Sequence, residues 1–256
     1  MAKLIDRIGE INHNNYNNKM IIIDYNSSNN VIVKFEDGAI KKCDYRDFKN
    51  GSVVSPYDKT VMKVGRLGEG KYKIRENNKP MLIYTQWRSM IQRCYSPLEL
   101  EKRPTYRDCT ICEEWLNFQN FAKWYENNYY TVNDEIMNLD KDILHKGNKI
   151  YSPNNCIFTP KDINTLIVKN DAVRGKYAIG THYDKDRNKF KAQCTIHING
   201  KRYNKNLGRY NTEIEAFNAY KKFKEQHIKE IADKYKPYIP NKLYEAMYNY
   251  KVEITD

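Results

Sequence analysis

The sequence lacks long apolar runs and the apolar core of a signal peptide. No uninterrupted apolar stretch approaches the roughly 18 residues that a membrane-spanning helix needs, and the mean hydropathy is −0.87. The first residues, MAKLIDRIGEINH, are too polar to direct export. We therefore expect a protein that has no membrane association and stays in the cytoplasm.

Cysteine is sparse, with 6 residues in a chain of 256. Scattered cysteines in a large chain without an export signal argue against a disulfide framework. Cys109 and Cys112 have the two-residue gap of a zinc knuckle, and Cys94 and Cys156 lie in the same part of the chain. Two alternatives stay open: a structural zinc ion held by these four cysteines, or ordinary buried thiols.

Acidic residues are outnumbered, with 32 Asp and Glu against 44 Lys and Arg and a formal net charge of +12. A balance of this size indicates an anionic partner, most often nucleic acid. The alternative is a basic soluble protein without such a partner. The excess charge is concentrated, because residues 174–210 contain ten basic and two acidic residues.

Apolar periodicity predicts an α+β protein. Residues 1–58 carry two β-branched runs, MIIIDY and VIVKF, followed by an Asp-Gly turn signal. This pattern predicts a small β module, SH3-like and barrel-like. Residues 59–170 form a central, mainly helical segment, in which apolar residues recur at helical spacing in 85–95 and again in 113–130.

The third segment, residues 171–232, has the clearest pattern. Residues 189–198 alternate between apolar and polar, which predicts a strand with one buried face. Turn signals DKDRN and NG flank this strand, and Thr212 with Glu215 forms a capping box at the start of a helix. We expect a three-stranded antiparallel sheet packed on one helix, and then a helical tail over 233–256 that prolines interrupt.

The basic residues of this third segment predict a DNA-binding sheet face. Lysine and arginine neutralise phosphates, and Arg, Asn and Gln pair with base edges in the major groove. A solvated sheet face without a partner is the alternative. The predicted DNA-binding residues are Arg187, Lys189, Lys191, Gln193, Lys201, Arg202, Asn204 and Arg209.

Several strings of this segment point to a known family. Residues 178–225 begin AIGTHYDKDRNKFKAQ and continue through NGKR and LGRY to the helix TEIEAFNAY. This stretch resembles the DNA-binding domain of ethylene-response factors (APETALA type). The resemblance implies that the three-stranded sheet binds double-stranded DNA.

The stretch LDKDILHKGNKIYSPNNCIFTPKDIN, residues 139–164, combines carboxylates, spaced asparagines and one histidine. Asp140 is followed 15 residues later by Asn155, and Asn164 comes nine residues after that. We interpret LDKDI as a strand, KGNK as a turn, CIFTP as a second strand and KDINTL as a helix. The prediction is a strand–strand–helix hairpin with polar side chains on each element.

Together with WRSMIQRCY, CEEWLNFQNF and YSPNNC, this hairpin resembles the HNH homing-endonuclease-like proteins of phages and bacteria. The resemblance implies that Asp140 and Asn164 bind a divalent cation, Mg²⁺ or Mn²⁺. It also implies that Asn155 tethers the hairpin and orients the general base.

The chain departs from that family at Lys141, because these enzymes have their general-base histidine directly after the first ligand. A lysine would need a strongly depressed pKa to accept a proton at neutral pH. Asp142 and His145 are the candidate substitutes, with Asp142 expected on the same side of the strand as Asp140.

Three hypotheses about function follow. The first is a phage-type HNH endonuclease of the host cytoplasm, which cleaves DNA at sites chosen by the C-terminal module. The second is a catalytically degenerate relative that acts as a DNA-binding regulator or counter-defence protein. The third is a module whose basic face binds an acidic protein.

Overall fold

The computed structural model describes residues 6–167, 176–198, 201–254 and 256. The chain forms two compact units: Met1–Asn128 with Lys149–Asn154, and Tyr129–Asn148 with Asn155–Asp256. The fold class is α+β, as predicted. Within the described ranges there are seven α-helices, a four-stranded and a three-stranded antiparallel sheet, and three two-stranded pairs. No helix in these ranges is long and apolar enough to cross a membrane.

Runs of strands are separated by one or two helices along the described chain. The strands are β1 (Ile11–His13), β2 (Lys19–Ser27), β3 (Asn30–Phe35), β4 (Ile40–Cys43), β5 (Arg75–Glu76), β6 (Lys79–Pro80), β7 (Thr110–Ile111), β8 (Asn138–Asp140), β9 (Ile150–Tyr151), β10 (Ile157–Thr159), β11 (Thr181–Asp184), β12 (Lys189–Ile198) and β13 (Lys201–Tyr210). The helices are α1 (Tyr45–Lys49), α2 (Leu82–Tyr95), α3 (Pro97–Lys102), α4 (Phe118–Asn128), α5 (Lys161–Ile167), α6 (Glu213–Tyr235) and α7 (Asn241–Tyr248).

The first unit begins with an antiparallel sheet in the order β1-β2-β3-β4. Alternate residues of β2 and β3, among them Ile22 and Val33, are fully buried with Phe48 of α1. The predicted Asp-Gly turn joins β3 to β4, with Gly38 at a φ of +93° that favours glycine. The predicted β module is thus a four-stranded sheet, and its barrel-like closure stays a prediction.

Of the two helices predicted from apolar periodicity in the first unit, one forms as predicted and the other is divided. In α2, Trp87, Met90, Ile91 and Cys94 are all buried, as predicted. The stripe in 113–130 is split, because Glu113–Leu116 forms a 3-10 turn and α4 begins only at Phe118. Asn117 between them is extended, and its side chain accepts a hydrogen bond of 2.9 Å from the Gln119 backbone N–H.

The second unit contains β8, β10 and α5, which come from the stretch interpreted as a hairpin and helix, and the predicted three-stranded sheet. β8 pairs with β10, and α5 packs against β8. The three-stranded sheet has the order β11-β12-β13 and packs against α6, which in turn packs against α7. Its core includes Cys194, Phe217, Tyr220 and Val252.

The local predictions for the sheet and helix are largely confirmed. Thr212 accepts a hydrogen bond of 3.3 Å from the Glu215 backbone N–H, and the Glu215 carboxylate accepts one of 3.0 Å from the Thr212 N–H. Helical structure is interrupted between α6 and α7, where Pro237 and Pro240 lie. Ile214, in the first turn of α6, is 52% exposed. The predicted NG turn at 199–200 lies outside the described residues.

Candidate active site and nucleic-acid interface

Asp140 occupies the end of β8, where the strand is anchored by its buried partner β10. The two strands are antiparallel, with Ile157 opposite Asp140, and all three residues of β10 are buried. Tyr130 donates a hydrogen bond of 2.7 Å to the carbonyl of Phe158. β8 ends at Asp140, whereas the strand predicted from LDKDI continues to Ile143.

The carboxylate of Asp140 ends the strand by bonding to the backbone that follows it. Its Oδ1 accepts hydrogen bonds from the N–H groups of Asp142 at 2.9 Å and Ile143 at 2.8 Å, the pattern of an Asx turn. Burial and then the charge of Asp142 raise the pKa of Asp140 to about 6. The two backbone hydrogen bonds favour the ionised carboxylate of Asp140. Burial and the nearby charge of Asp142 disfavour it more strongly, so the net effect is a raised pKa.

Lys141, the residue next to Asp140, is buried, with 8% of its surface exposed. Its Nζ lies 3.2 Å from Oδ2 of Asp142. An ammonium group in an ion pair has no lone pair with which to accept a proton. Lys141 therefore serves as a counter-charge to Asp142. Asp142 lies in the loop after β8 and not on the strand, where it was expected.

Asn155 is linked to the loop after β8 through a second asparagine. Its Nδ2 donates a hydrogen bond of 3.1 Å to Oδ1 of Asn148, and Nδ2 of Asn148 donates one of 2.6 Å to the backbone carbonyl of Lys141. The predicted tether is thus a two-step relay. The predicted KGNK turn contains Asn148, but the sequence pattern assigns it no role as a tether.

His145 and Asn164 complete the predicted set. His145 is exposed, and its backbone carbonyl accepts a hydrogen bond of 2.9 Å from the N–H of Asn148. Asn164 is half-buried on α5, the helix that packs against β8. The loop after β8 thus carries Asp142 and His145, while Asn164 comes from the helix.

None of the four cysteines predicted as zinc ligands forms a disulfide bond in the described part of the chain. Cys94, Cys109 and Cys156 are buried, and Sγ of Cys109 lies 3.8 Å from the carbonyl of Thr105. Burial raises the pKa of the half-buried Cys112 thiol. Over the described ranges, no three His, Cys, Asp or Glu side chains come together as a metal-binding group. The structural zinc stays a prediction.

Most of the predicted DNA-binding residues share one face of the three-stranded sheet. Ala192 and Cys194 are buried beneath α6, so alternate residues of β12 point to the opposite face. The strand register places Arg209, Asn204 and Arg202 of β13 opposite residues of that face. Six predicted residues therefore share it: Lys189, Lys191, Gln193, Arg202, Asn204 and Arg209.

Two predicted residues lie elsewhere. Lys201 is opposite Ile198, at a position of the face on which Cys194 lies. Arg187 belongs to a 3-10 turn between β11 and β12. Residues 201–206 are exposed along their whole length, so both faces of the end of β13 are accessible.

Asp184 is an acid among these basic residues that sequence reasoning did not assign. Its Oδ2 accepts a hydrogen bond of 2.8 Å from Nε of Arg209 and lies 3.4 Å from an Nη atom of Arg187. The hydrogen bond from Arg209 lowers the pKa of Asp184. Asp184 therefore restrains two of the predicted DNA-binding arginines before any partner arrives.

Comparison with known proteins gives no relative: no family model, no curated protein sequence and no solved structure matches the chain. The hairpin offers hard oxygen donors, which suit Mg²⁺ or Mn²⁺. The sheet offers basic and amide side chains on one face, which suit a phosphate backbone and base edges.

Proposed function

We propose that this chain is a DNA-binding endonuclease of the HNH type. In this proposal the β8–β10–α5 hairpin hydrolyses phosphodiester bonds of double-stranded DNA, and the three-stranded sheet selects where. The observation that carries the proposal is the placement of Asp140 at the end of β8, the strand against which α5 with Asn164 packs. Burial and the charge of Asp142 raise the pKa of Asp140 to about 6. Perturbed acids of this kind cluster at functional sites.

The residues of the hairpin fit a divalent cation. Asp140 and Asn164 supply oxygen donors from β8 and from the helix that packs on β8. A cation would also offset the repulsion between Asp140 and Asp142. When bound, it supplies Lewis-acid assistance to the attacked phosphate and the leaving oxygen.

The remaining roles fall to residues of the loop after β8. The carboxylate of Asp142 and the imidazole of His145 are the groups that can take a proton from the attacking water. Lys141 neutralises part of the charge on Asp142 at 3.2 Å, which favours His145 as the base. Asn155 and Asn148 hold the loop in place through the carbonyl of Lys141.

The sheet supports the DNA-binding half of the proposal. Six basic or amide side chains share the face of the sheet opposite α6. Residues 187–212 contain seven basic residues and no acid, so a phosphate backbone meets little repulsion along β12 and β13. Residues 201–206 of β13 are exposed on both faces of the strand, which extends the surface that DNA can contact.

One observation favours a second candidate, a degenerate relative that binds DNA without cutting it. Lys141 is buried and paired with Asp142 in the position that an active HNH site gives to histidine. In this case the hairpin would be a scaffold, and DNA binding by the sheet would be the function. The proposed DNA-binding surface of the sheet is the same in both candidates.

The test is a plasmid-nicking assay on the full chain, with Mg²⁺ or Mn²⁺ and with a chelator, beside a gel-shift measurement. The variants are Asp140→Asn and the matched control Asp233→Asn, whose carboxylate accepts a hydrogen bond of 3.0 Å from Tyr244. The expected result is metal-dependent nicking that falls by on the order of 100-fold in Asp140→Asn. Asp233→Asn should cut like the wild type, and all three proteins should shift DNA.

The outcomes separate the candidates. Nicking lost in Asp140→Asn alone supports the endonuclease. DNA binding without any nicking by the wild type supports the degenerate relative. Absence of both nicking and salt-sensitive DNA binding would overturn the two candidates together and leave an acidic protein as the partner to examine.

A further inference from the structure

Residues 249–253 follow α7 and form an irregular segment, here named the strap. Val252 of the strap is only 3% exposed and belongs to the same apolar cluster as Cys194 of β12 and Phe217 and Tyr220 of α6. The strap is therefore part of the core of the sheet–helix module. Its irregular backbone needs partners for its polar groups.

Helix α6 supplies those partners. The N–H of Val252 donates a hydrogen bond of 2.9 Å to Oε1 of Glu225, and Nζ of Lys221 donates a hydrogen bond to the Val252 carbonyl. Lys221 and Glu225 also form an ion pair of 2.7 Å with each other. Both backbone polar groups of Val252 are thus satisfied by α6.

The other side of the strap contacts the hairpin loop through Lys146. Nζ of Lys146 donates a hydrogen bond of 2.8 Å to the carbonyl of Lys251 and lies 3.3 Å from Oε2 of Glu253. It also lies 5.2 Å from the centre of the Tyr250 ring. Lys146 directly follows His145, so the strap contacts the loop beside a candidate base.

Tyr250 of the strap also lies near the acidic pair of the hairpin. It is half-buried, and burial is the main reason that its pKa is raised. The charges of Asp142 and Asp140 add to this effect, together with two acids near the end of the chain. Helix α6 also contacts α5 directly, because the hydroxyl of Tyr235, at the end of α6, lies 3.3 Å from Oδ2 of Asp162 on α5.

We propose that the strap positions the catalytic loop relative to the DNA-binding sheet, so that the cut falls at one fixed distance from the bound sequence. Helix α6 packs on β12 and β13 and also holds the strap, and the strap holds Lys146. A loop restrained in this way reaches few phosphodiester bonds, whereas a loosely tethered loop reaches several neighbouring ones. The proposal about cutting rests on the proposed endonuclease function, whereas the coupling itself does not.

Three lysine-to-methionine variants of the full chain test the coupling with the same change of charge. Lys146→Met removes the loop contact, and Lys221→Met removes the α6 contact. Lys222→Met is the matched control, because Lys222 is an exposed neighbour on α6. Hydrogen exchange of the loop, residues 141–148, is measured in each protein without DNA.

Lys146→Met and Lys221→Met should both speed exchange in the loop by on the order of 10-fold, because local opening becomes easier. Lys222→Met should leave it unchanged. Lys221→Met is the decisive variant, since Lys221 contacts the strap and Glu225. Unchanged loop exchange in Lys221→Met would overturn the coupling.

Mapping of cut positions on a bound DNA fragment then tests the functional consequence. The wild type and Lys222→Met should cut at one phosphodiester bond. The two strap variants should spread cuts over neighbouring bonds, with DNA affinity changed less than about twofold. A single sharp cut in Lys221→Met would overturn the positioning role. If the wild type does not cut, the proposed endonuclease fails, and the exchange measurement still decides on the coupling.

Discussion

The side-chain amide of Asn148 donates a hydrogen bond of 2.6 Å to the backbone carbonyl of Lys141. Because Asn148 also accepts a hydrogen bond from Asn155, its removal leaves two polar groups of the hairpin without this partner. We expect Asn148→Ala to lower the free energy of unfolding by about 1–3 kcal/mol and to reduce nicking, as the loop loses its restraint. Urea denaturation and the plasmid assay measure the two effects.

The control for this change is Asn127→Ala. The side chain of Asn127 also donates to a backbone carbonyl, that of Lys123 at 2.9 Å, but it is exposed on α4. We expect a change within about 0.5 kcal/mol there. Equal losses in the two variants would contradict a special role for Asn148.

A second prediction follows from the pKa of Asp140, which is raised from 3.8 to about 6. The folded protein keeps the proton to a higher pH than the unfolded chain does. The stability contributed by the protonated acid is therefore complete below about pH 4 and is lost as the pH rises through about 6. At pH 8, Asp140 carries a buried negative charge in the folded state, whereas an asparagine in its place would be neutral.

Asp140→Asn should therefore raise the free energy of unfolding at pH 8 by on the order of 2–3 kcal/mol and change it little at pH 4. The amide oxygen of Asn can still accept the bonds from Asp142 and Ile143. Urea denaturation at the two pH values measures this difference. A variant that is less stable than the wild type at pH 8 would argue against a destabilising charge at Asp140.

The sequence predicted those parts of the fold that depend on local pattern. The stripe of α2 was predicted correctly because a 3.6-residue period decides which side chains are buried. The capping box at Thr212 followed from the chemistry of helix ends, whereas the order strand–strand–helix in 139–164 was implied by the HNH resemblance. These signals need no knowledge of distant segments.

The parts that were missed depend on side chain to backbone bonds or on contacts between distant segments. Hydropathy does not show that Asp140 bonds to the backbone after it and so ends β8 early. Lys146 and Lys251, which meet at 2.8 Å, are 105 positions apart. Nor does composition show that Asp184 restrains Arg209, since β11 and β13 are on opposite sides of β12.

A third prediction concerns Asp184, the acid that pairs with Arg187 and Arg209. Asp184→Asn removes one negative charge from the DNA-binding surface and releases both arginines. We expect tighter binding to non-specific DNA, by about 1 kcal/mol or fivefold, and weaker discrimination between sequences, since Arg209 loses its fixed orientation. Fluorescence anisotropy with specific and random duplexes measures both effects.

Asp186→Asn is the matched control for that change. Asp186 is exposed in the 3-10 turn Lys185–Arg187, which directly follows Asp184. Asp186→Asn therefore removes one negative charge two residues from Asp184. It should raise affinity less and leave discrimination intact. If both variants behave alike, charge alone accounts for the effect, and no restraint of the arginines by Asp184 needs to be invoked.

The last prediction concerns Lys141→His, which separates the two candidate functions. An imidazole at this position supplies the base that the HNH resemblance implies, and a positioned base contributes about 10²–10⁴-fold to a rate. If the wild-type hairpin is degenerate, Lys141→His should gain metal-dependent nicking. If His145 already acts as the base, the gain should be small. Lys141→Gln is the control, because it breaks the ion pair with Asp142 without adding a base. Gain in both variants would show that the ion pair itself blocks the site, since only its loss is common to the two.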